Sequence, residues 1–455
     1  MRSNVRWRPS TQGFVKRNRP THTVSITRSN KVSKDIFEKC RTNGGYFGEF
    51  RARGDRFFTR PILDPHPSNR MIYEGSEKIM WSVNNYLGLA GNEEVQKAAS
   101  DALKEYGIHA PMGARMMSGN TDEHVELEKQ LAQFAEKEAS ILFNYGYLGV
   151  IGTVDSLTEN DDVIIVDKLA HACIVDAAKL AQAQLRVFRH NDMGSLESVL
   201  KHVNRNRKGG VMIVTEGTYG MTGDLAKLKE ISELKEKYDA RLVIDDAHGV
   251  GVLGDQGRGT ASHFGVQDKI DIYFGTFAKS FAAIGGFSAT DRDVVEWMTF
   301  NARTQVFAKS LPLIYVKAMQ KALELVMKGD DRREALWKKS NSLKQGLEDL
   351  GFAIGPGESP ICSVLVPVGE GEVTTIGAQM VKYLRDNGVF VTAVVYPVIP
   401  LGLCMFRMIP TVAHTEADIA ETHAVFKKMR EDLSLTLDLD ENDREKVAKV
   451  YGRKI

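Results

Sequence analysis

The sequence predicts an α/β protein with a large, mostly parallel β-sheet and a second, smaller α/β domain toward the C-terminus. Between about residue 80 and residue 320, short and almost continuously apolar runs alternate with amphipathic helical patterns. Such runs are typical of parallel strands that are covered by helices on both faces. After about residue 320 the pattern changes to long charged helices, then strands and a closing helix. A chain of 455 residues is long enough for two such domains.

Six apolar runs mark the strands of the predicted sheet. In chain order they are SILF, DVIIVD, LRVF, VMIVTEG, RLVIDDAHG and IDIYFGT. A parallel sheet binds ligands beyond the carboxyl ends of its strands, so residues with a chemical function are expected just after these runs. The residues found there are Gly146, His171, Glu216, Asp245, His248, Thr276 and Lys279.

Four segments are predicted along the chain: a basic extension over 1–34, an N-terminal segment over 35–80, a large domain over 81–320 and a small domain over 321–455. The first segment carries nine Lys and Arg residues and no acid. Such a segment is most often a disordered extension, but its composition also fits a peripheral membrane contact or an organelle transit segment. The whole chain has a net charge of +1, and its main body gives no indication of a nucleic-acid partner.

The four cysteines are scattered along the chain and form no C-x-x-C pair. Their spacing argues against a disulfide framework and a zinc site, so no metal is expected and a reducing cytoplasm is the expected location. Residues 388–406 carry no charge, but they contain Pro397, Pro400 and two glycines. This stretch is therefore predicted to be a buried strand and a loop, and no transmembrane helix is expected.

Lys279 stands in the nearly uncharged stretch GTFAKSFAAIGGF, directly after the last apolar run. A single lysine in a loop is usually a surface residue. A confined lysine amine near a carboxylate on a neighbouring strand, however, suits Schiff-base chemistry with pyridoxal 5'-phosphate (PLP), in which an acid partners the pyridine nitrogen. Asp245 is the candidate acid. To act as a base near neutral pH, the amine needs a pKa well below its usual value of about 10.4, which burial favours.

Other catalytic classes find less support in the sequence. No serine–histidine–acid triad is evident, and the glycines spell neither a Walker A motif nor a G-x-G-x-x-G pattern after the first strand. Hydrolase and kinase functions are therefore disfavoured.

Six motifs lie in order along the chain: NNYLGLA (84–90), FNYGYLG (143–149), DKLAHACIVDA (167–177), DDAHGVGVLGDQGRG (245–259), GTFAKSFAAIGGF (275–287) and FRMIPTVAHT (406–415). In order and spacing they resemble the α-oxoamine synthase family over roughly residues 75–430. The resemblance implies the aspartate-aminotransferase-like fold (PLP fold type I), PLP as cofactor, and a homodimer with active sites at the subunit interface. The implied substrates are an amino acid and an acyl-CoA, joined with loss of carbon dioxide.

The resemblance implies roles for four residues of the predicted sheet edge. Lys279 is expected to hold PLP covalently and, once substrate displaces it, to move the α proton of the amino acid. Asp245 is expected to face the pyridine nitrogen and His248 the phenolic oxygen of the ring. His171 is expected to stack on the ring face and to hydrogen-bond the substrate carboxylate. Each of these residues has a structural alternative, and Asp246 is a weaker candidate for the acid.

Other residues are candidates to bind the cofactor phosphate and the substrate carboxylate. The phosphate is expected to bind the backbone N–H groups of Gly146 and Tyr147 at a helix start, together with the Thr276 hydroxyl. Arg407 matches the family arginine seven residues before the histidine of the last motif, and it is expected to grip the amino-acid carboxylate. The alternative for Arg407 is an ordinary strand arginine in an ion pair. Asn85 is expected to support the same carboxylate.

The motifs also indicate the amino acid and the acyl group. Gly220 stands where many relatives carry serine, and Ala278 where some do, so the chain lacks a hydroxyl at both positions. GTFAKS followed by GGF is more similar to serine palmitoyltransferases than to the GTLGKA or GTFGKA forms of other branches. The expected reaction is the condensation of serine with palmitoyl-CoA to a 3-keto sphingoid base.

Two other functions remain open at this point. DDAHGVGVLGDQGRG also resembles the 8-amino-7-oxononanoate synthase and glycine C-acetyltransferase branches, which favours a glycine or alanine acyltransferase. A non-catalytic partner subunit is the second alternative, and the presence of Lys279 argues against it. A long acyl chain needs an apolar groove, and Phe300, Phe307, Leu311 and Leu313 are equally candidates for its wall or for the core of an interdomain helix.

Overall fold

The computed structural model of the chain describes residues 35–41, 61–369, 373–396 and 398–452. The basic extension predicted over 1–34 lies outside these residues. The strands within them are β1 (Arg70–Tyr73), β2 (Ser76–Met80), β3 (Ala139–Phe143), β4 (Val163–Asp167), β5 (Gln184–Phe188), β6 (Val211–Glu216), β7 (Arg241–Asp245), β8 (Ile272–Thr276), β9 (Gly286–Thr290), β10 (Ala353–Ile354), β11 (Cys362–Pro367), β12 (Val389–Phe390), β13 (Thr392–Val394) and β14 (Leu403–Met408).

The α-helices alternate with these strands over most of the chain. In the same residue ranges they are α1 (Glu38–Arg41), α2 (Glu93–Tyr106), α3 (Asp122–Phe134), α4 (Gly146–Leu157), α5 (Ala172–Leu180), α6 (Met193–Asn206), α7 (Leu228–Lys237), α8 (Thr260–Phe264), α9 (Arg292–Asn301), α10 (Arg303–Val306), α11 (Leu313–Met327), α12 (Asp330–Asp349), α13 (Val373–Asp386), α14 (Glu416–Asp432) and α15 (Glu441–Tyr451). The closing helix expected from the sequence corresponds to α14, and α15 follows it as a further helix.

A seven-stranded sheet with the order β3-β9-β8-β7-β6-β4-β5 forms the centre of the fold. Neighbouring strands from β8 to β5 are parallel, whereas β9 is antiparallel to both β8 and β3. Because β9 alone is reversed, the other six strands share one direction and their carboxyl ends meet at one edge. The predicted mostly parallel sheet is confirmed, and all six apolar runs form strands in it.

Successive residues of these strands enter two separate cores, one on each face of the sheet. In β4, Val163 and Ile165 belong to the larger cluster, while Ile164 and Val166 belong to the other. Alternate side chains of a strand point to opposite faces, so a strand covered on both faces must be apolar throughout. This burial explains why the strands are continuous apolar runs in the sequence.

Two smaller sheets complete the described fold. One has the order β1-β2-β12, and the other has the order β10-β11-β14-β13 with antiparallel pairing throughout. Residues 388–406, which were expected to form a buried strand and a loop, contain β12, β13, a connecting loop and the start of β14. None of the helices in the described ranges combines the length and the apolar character that a bilayer crossing needs. The proposed domain boundary near residue 320 stays a prediction.

A buried charge cluster lies at the carboxyl edge of the large sheet. His190 follows β5, and its ring nitrogens lie 2.9 Å from the carboxylates of Asp167 and Asp224. Asn191 adds an amide hydrogen bond of 2.8 Å to Asp224, and the Tyr219 ring packs edge-on against the histidine at 4.4 Å. Burial alone lowers the pKa of His190, but hydrogen bonds to the two aspartates outweigh it and raise the pKa to about 9. The histidine is therefore a cation between two acids at neutral pH.

Replacing His190 with glutamine should lower the free energy of unfolding by about 3–5 kcal/mol at neutral pH, because two buried carboxylates then lose their cation. The folded-state pKa of about 9 lies above the unfolded value of about 6.5, so the stabilisation is complete below about pH 6.5 and is lost as the pH rises through about 9. Urea unfolding across this pH range measures both effects. The exposed His202→Gln serves as the matched control, and an identical pH dependence in wild type and His190→Gln contradicts the assignment.

Candidate active site

Lys279 lies in the loop of residues 277–285 between β8 and β9. Two residues to either side, Phe277 and Phe281 are fully buried and pack with their ring centroids 5.6 Å apart. The Phe277 N–H donates to the Gly285 carbonyl at 3.0 Å, which closes the turn. These contacts fix the backbone on both sides of the lysine at the carboxyl edge of the sheet.

The predicted site residues at the carboxyl edge of the sheet shift one another's pKa values through their charges. Burial lowers the pKa of the Lys279 ammonium, and the negative charges of Asp245 and Glu216 oppose this shift only in part. Burial also lowers the pKa of His171 and of His248, and the positive charge of Lys279 lowers both further. The structure thus brings the lysine, the acid and both predicted histidines together. The amine is held toward its neutral form, in the direction that a base near neutral pH requires.

Asp245 is the last residue of β7 and is only 5% exposed. In the strand register it lies opposite Glu216 of β6 and Phe274 of β8. Its carboxylate accepts a hydrogen bond from the Ala247 N–H at 3.2 Å and a weak one from the Cys173 thiol at 3.6 Å. Two such contacts compensate a buried carboxylate poorly, so a cationic partner such as a protonated ring nitrogen suits it.

The neighbouring Asp246 has a structural role. It is fully buried and accepts hydrogen bonds from the Thr260 N–H at 2.7 Å, the Thr260 hydroxyl at 2.6 Å and the Tyr273 hydroxyl at 3.1 Å. Burial raises the pKa of Asp246 to about 6, against the effect of these hydrogen bonds. Its contacts tie the loop before α8 to the sheet, and Asp245 remains the candidate acid.

His171 caps the start of α5 with its ring. Its Nδ1 accepts the Cys173 N–H at 3.3 Å, and the Cys173 sulfur lies 2.9 Å from the same nitrogen. Because Nδ1 accepts and burial lowers the pKa of His171, the ring is neutral and its proton is on Nε2. The Tyr147 ring lies edge-on, with the centroids 6.0 Å apart. A neutral ring with an Nε2–H can both stack on a cofactor and donate to a substrate carboxylate.

His248 is held by a hydrogen bond of 2.9 Å between its Nδ1 and the Tyr86 hydroxyl. Its Nε2 lies against Gly220, where a Cβ atom would come within 2.3 Å of it. Side-chain contacts this short do not occur, so any larger residue at position 220 must displace the imidazole. In this chain the glycine at position 220 thus leaves the space that the His248 ring occupies.

Glu216 also belongs to the site, although the sequence motifs indicated no role for it. It is 6% exposed, and its carboxyl group accepts the Gly220 N–H at 3.1 Å. Burial, and then the negative charge of Asp245, raise the pKa of Glu216 to about 8. A carboxyl group with this pKa is mostly protonated at neutral pH.

The start of α4 is the place where the sequence predicts phosphate binding. Tyr145 precedes the helix, and its side chain forms no capping hydrogen bond with the described residues. The first N–H groups, including those of Gly146 and Tyr147, have no acceptor within the helix and attract an anion. A Cβ at Gly146 would lie 2.8 Å from the Thr276 hydroxyl oxygen, so glycine permits this approach. The Thr276 hydroxyl itself donates to the Gly285 carbonyl at 3.0 Å and must rotate to reach a phosphate.

Arg407 projects from β14 toward the same edge of the large sheet. Its Nε donates to the Gly220 carbonyl, and its terminal nitrogen lies 3.4 Å from the Asn84 amide oxygen. Among the described residues no carboxylate lies within ion-pair distance of it, so the alternative of an ordinary ion-paired strand arginine finds no support there. The Asn85 amide oxygen instead accepts the Ala90 N–H at 3.2 Å and stabilises a turn. Its contact with substrate stays a prediction.

Each of the groups at this edge of the sheet suits the chemistry of one part of PLP. Lys279 offers an amine of lowered pKa to the aldehyde, and Asp245 offers a buried acid to the pyridine nitrogen. His171 offers a neutral ring to the cofactor face, and the start of α4 offers free N–H groups to the phosphate. These residues would hold the cofactor.

The stretch expected either to line an acyl groove or to form core is divided between core and surface. Leu311 and Leu313 are buried in the larger core cluster. Phe300 and Phe307 are 63% and 77% exposed. The two leucines therefore serve the core, and the two phenylalanines lie on the surface of the single chain.

Known proteins resemble this chain over most of its length. The aminotransferase class I and II family model matches residues 76–424. A cysteate-C-fatty acyltransferase of Capnocytophaga ochracea is 44% identical, over 88% of this chain and 95% of the relative. A serine palmitoyltransferase of Sphingobacterium spiritivorum is 38% identical, over 84% and 93% of the two chains. An 8-amino-7-oxononanoate synthase of Alkaliphilus metalliredigens is also 38% identical, over 82% and 93%.

A solved structure of serine palmitoyltransferase with PLP superposes with a TM-score of 0.82 at 28% identity, covering 89% of this chain and all of the other. The expectations of PLP fold type I, of PLP as the cofactor and of an acyltransferase activity are thereby confirmed at the level of the family. The chain belongs to the aminotransferase class I and II family, within its α-oxoamine synthase branch.

Proposed function

We propose that the protein condenses a small polar α-amino acid with a long-chain acyl-CoA and releases coenzyme A and carbon dioxide. The observation that carries this proposal is the position of the half-buried Lys279 directly after β8, next to the strand that ends in Asp245, which lies in register with Glu216. In the reaction the acyl carbon–sulfur bond breaks, a bond forms between the acyl carbon and the amino-acid α carbon, and the α carboxylate leaves. Bound PLP supplies the electron sink for negative charge at that carbon.

Lys279 is the group that moves protons at the α carbon. Burial lowers the pKa of its ammonium, so the neutral amine is available to take the α proton. The negative charge of Asp245 stabilises the ammonium that forms. After carbon dioxide leaves, the same ammonium returns a proton to the α carbon, and the departing thiolate of coenzyme A takes a proton from solvent.

Arg407 and His171 hold the amino-acid carboxylate. The guanidinium is fixed by the Gly220 carbonyl and lacks a carboxylate partner within the described residues, which suits a bidentate grip on a substrate acid. The Nε2–H of His171 donates to the same carboxylate. These two contacts keep the carboxylate bound until the new carbon–carbon bond has formed.

Serine is the first candidate for the amino acid and cysteate the second. The motif GTFAKS and the structural similarity to a serine palmitoyltransferase support serine. The 44% identity to a cysteate acyltransferase, against 38% to the serine enzyme, supports cysteate. The two substrates differ in the group on their β carbon, which is a hydroxyl in serine and a sulfonate in cysteate. Both relatives support a fatty acyl donor.

The proposal includes a homodimer. Several large apolar side chains are strongly exposed in the single chain, among them Ile108 at 80%, Met117 at 83% and Phe307 at 77%. Apolar groups in such number on a surface are typical of an interaction site. A second copy of the chain that covers them is the partner we propose.

Replacing Lys279 with alanine should abolish the visible absorbance of lysine-bound cofactor in protein supplied with PLP and should reduce condensation by at least about 10³-fold, because both the covalent link and the base are lost. Absorbance spectra and thiol release measure the two effects. Lys309→Ala, another lysine of the same domain, serves as the control. If wild-type protein with PLP stays colourless, a non-catalytic partner subunit becomes the better interpretation.

Replacing Gly220 with serine should push the His248 ring from its place and break its hydrogen bond with Tyr86, since the new Cβ would lie 2.3 Å from Nε2. We expect PLP affinity to fall about tenfold and stability to fall by about 1–3 kcal/mol. Spectral titration with PLP and urea unfolding measure these changes. Gly91→Ala, where the added Cβ has no neighbour within 4 Å, is the matched control. Unchanged PLP affinity in Gly220→Ser would show that His248 does not serve the cofactor.

A panel of serine, cysteate, glycine and alanine against acetyl-, pimeloyl- and palmitoyl-CoA should show the fastest thiol release with palmitoyl-CoA and either serine or cysteate. The sulfonate of cysteate needs polar or cationic neighbours that the serine hydroxyl does not, so the two should differ by at least about tenfold in kcat/KM. A best rate with glycine or alanine, or with a short acyl group, would contradict the proposed substrates and leave the family assignment intact.

A further inference from the structure

Cys173 lies between two of the residues that would hold PLP. Its sulfur lies 2.9 Å from Nδ1 of His171 and 3.6 Å from a carboxyl oxygen of Asp245. The residue is only 2% exposed, so it is shielded from solvent behind these two groups. The proposed reaction has so far given this buried thiol no part, although it contacts both residues.

The start of helix α5 fixes the position of the thiol. His171 is the cap residue of this helix, and the Cys173 N–H donates to its Nδ1 at 3.3 Å. A ring nitrogen that accepts an N–H carries no hydrogen of its own. The thiol must therefore donate to Nδ1, because otherwise two lone pairs would face each other at 2.9 Å.

The thiol has one hydrogen and two acceptors within reach. Burial, and then the negative charges of Asp245 and Glu216, raise the pKa of Cys173, so the thiol keeps its hydrogen at neutral pH. Nδ1 of His171 is the nearer acceptor, and the Asp245 oxygen is the more distant one. A partner that takes over the Asp245 oxygen, as a protonated ring nitrogen does, leaves the thiol hydrogen to Nδ1 alone.

Other titratable groups surround this pair without replacing the thiol. They are Glu216 at the end of β6, His248 after β7, Lys279 after β8 and Tyr147 in α4. The positive charge of Lys279 lowers the pKa of His171, and the negative charge of Asp245 opposes this shift. Within the described residues, the N–H and the thiol of Cys173 are the only hydrogen-bond partners of the His171 ring. The position of the proton on this ring therefore depends on Cys173.

We propose that Cys173 is a positioning residue of the active site. Its thiol donates to Nδ1 of His171 and helps to hold the ring proton on Nε2, where it can reach a substrate carboxylate. Its contact with Asp245 makes this hydrogen bond respond to the binding of PLP. The inference rests on the proposed function, in which His171 donates to the carboxylate and Asp245 faces the pyridine nitrogen.

The variants Cys173→Ala and Cys173→Ser separate hydrogen bonding from packing. Loss of the donor in the alanine variant makes the neutral ring less favourable and raises the pKa of His171. The acid limb of the pH profile of kcat/KM should therefore move up by about 0.5–1 pH unit. Serine keeps a donor and should restore the wild-type profile. The same two substitutions at Cys404, which is fully buried in β14, are the matched controls and should leave the profile unchanged.

Infrared spectra of the thiol test the hydrogen bonds without any turnover. The difference between wild type and Cys173→Ser isolates the S–H stretching band of Cys173, and the difference between wild type and Cys404→Ser isolates that of Cys404. In PLP-free protein the Cys173 band should lie at lower frequency, because a hydrogen bond weakens the S–H bond. Addition of PLP should shift the Cys173 band and leave the Cys404 band in place.

Each result either supports the inference or overturns it. Equal frequencies for the two thiols would mean that Cys173 donates to neither acceptor. A Cys173 band that ignores PLP would exclude the coupling through Asp245. An unchanged pH profile in Cys173→Ala, or an equal shift in the serine variant, would reduce the thiol to a packing role. If wild type with PLP turns over no acyl-CoA, the proposed function fails, and the spectra of PLP-free protein still decide whether the thiol donates.

Discussion

The rest of the site depends on one constraint, which is that a half-buried amine and two buried carboxyl groups meet at the carboxyl edge of a mostly parallel sheet. Asp245 and Glu216 end neighbouring strands in register, and Lys279 follows the next strand after a turn that two buried phenylalanines anchor. Burial lowers the pKa of the amine and raises the pKa of Glu216 to about 8. The packing that buries these groups and shifts their pKa values also stabilises the sheet. The same contacts therefore serve both the chemistry and the fold.

Two glycines are important to the site because they have no side chain. Gly220 leaves the space that the His248 ring occupies, and Gly146 lets the start of α4 approach Thr276. At the same time the Gly220 backbone connects two side chains of the site, because its N–H donates to Glu216 and its carbonyl accepts from Arg407. One glycine thus links a strand of the large sheet, a ring of the site and an arginine from a different sheet.

The regions around the site have different tasks. The buried cluster of His190 with Asp167 and Asp224 satisfies its own charges and serves the fold. Asp245 and Glu216, which end β7 and β6 in register, serve the proposed chemistry instead.

The sequence by itself determined six of the seven strands of the large sheet, the position of Lys279 after one of them, and the family, because all three depend on local patterns and on motifs with fixed spacing. Strand β9 escaped notice, since its glycine, serine and threonine do not form an apolar run although the strand is fully buried. Only the tertiary structure decided which distant groups meet. The contacts of Tyr86 with His248 and of Arg407 with Gly220 join positions 162 and 187 residues apart. Such contacts depend on the direction and packing of whole elements, and no local pattern in the chain specifies them.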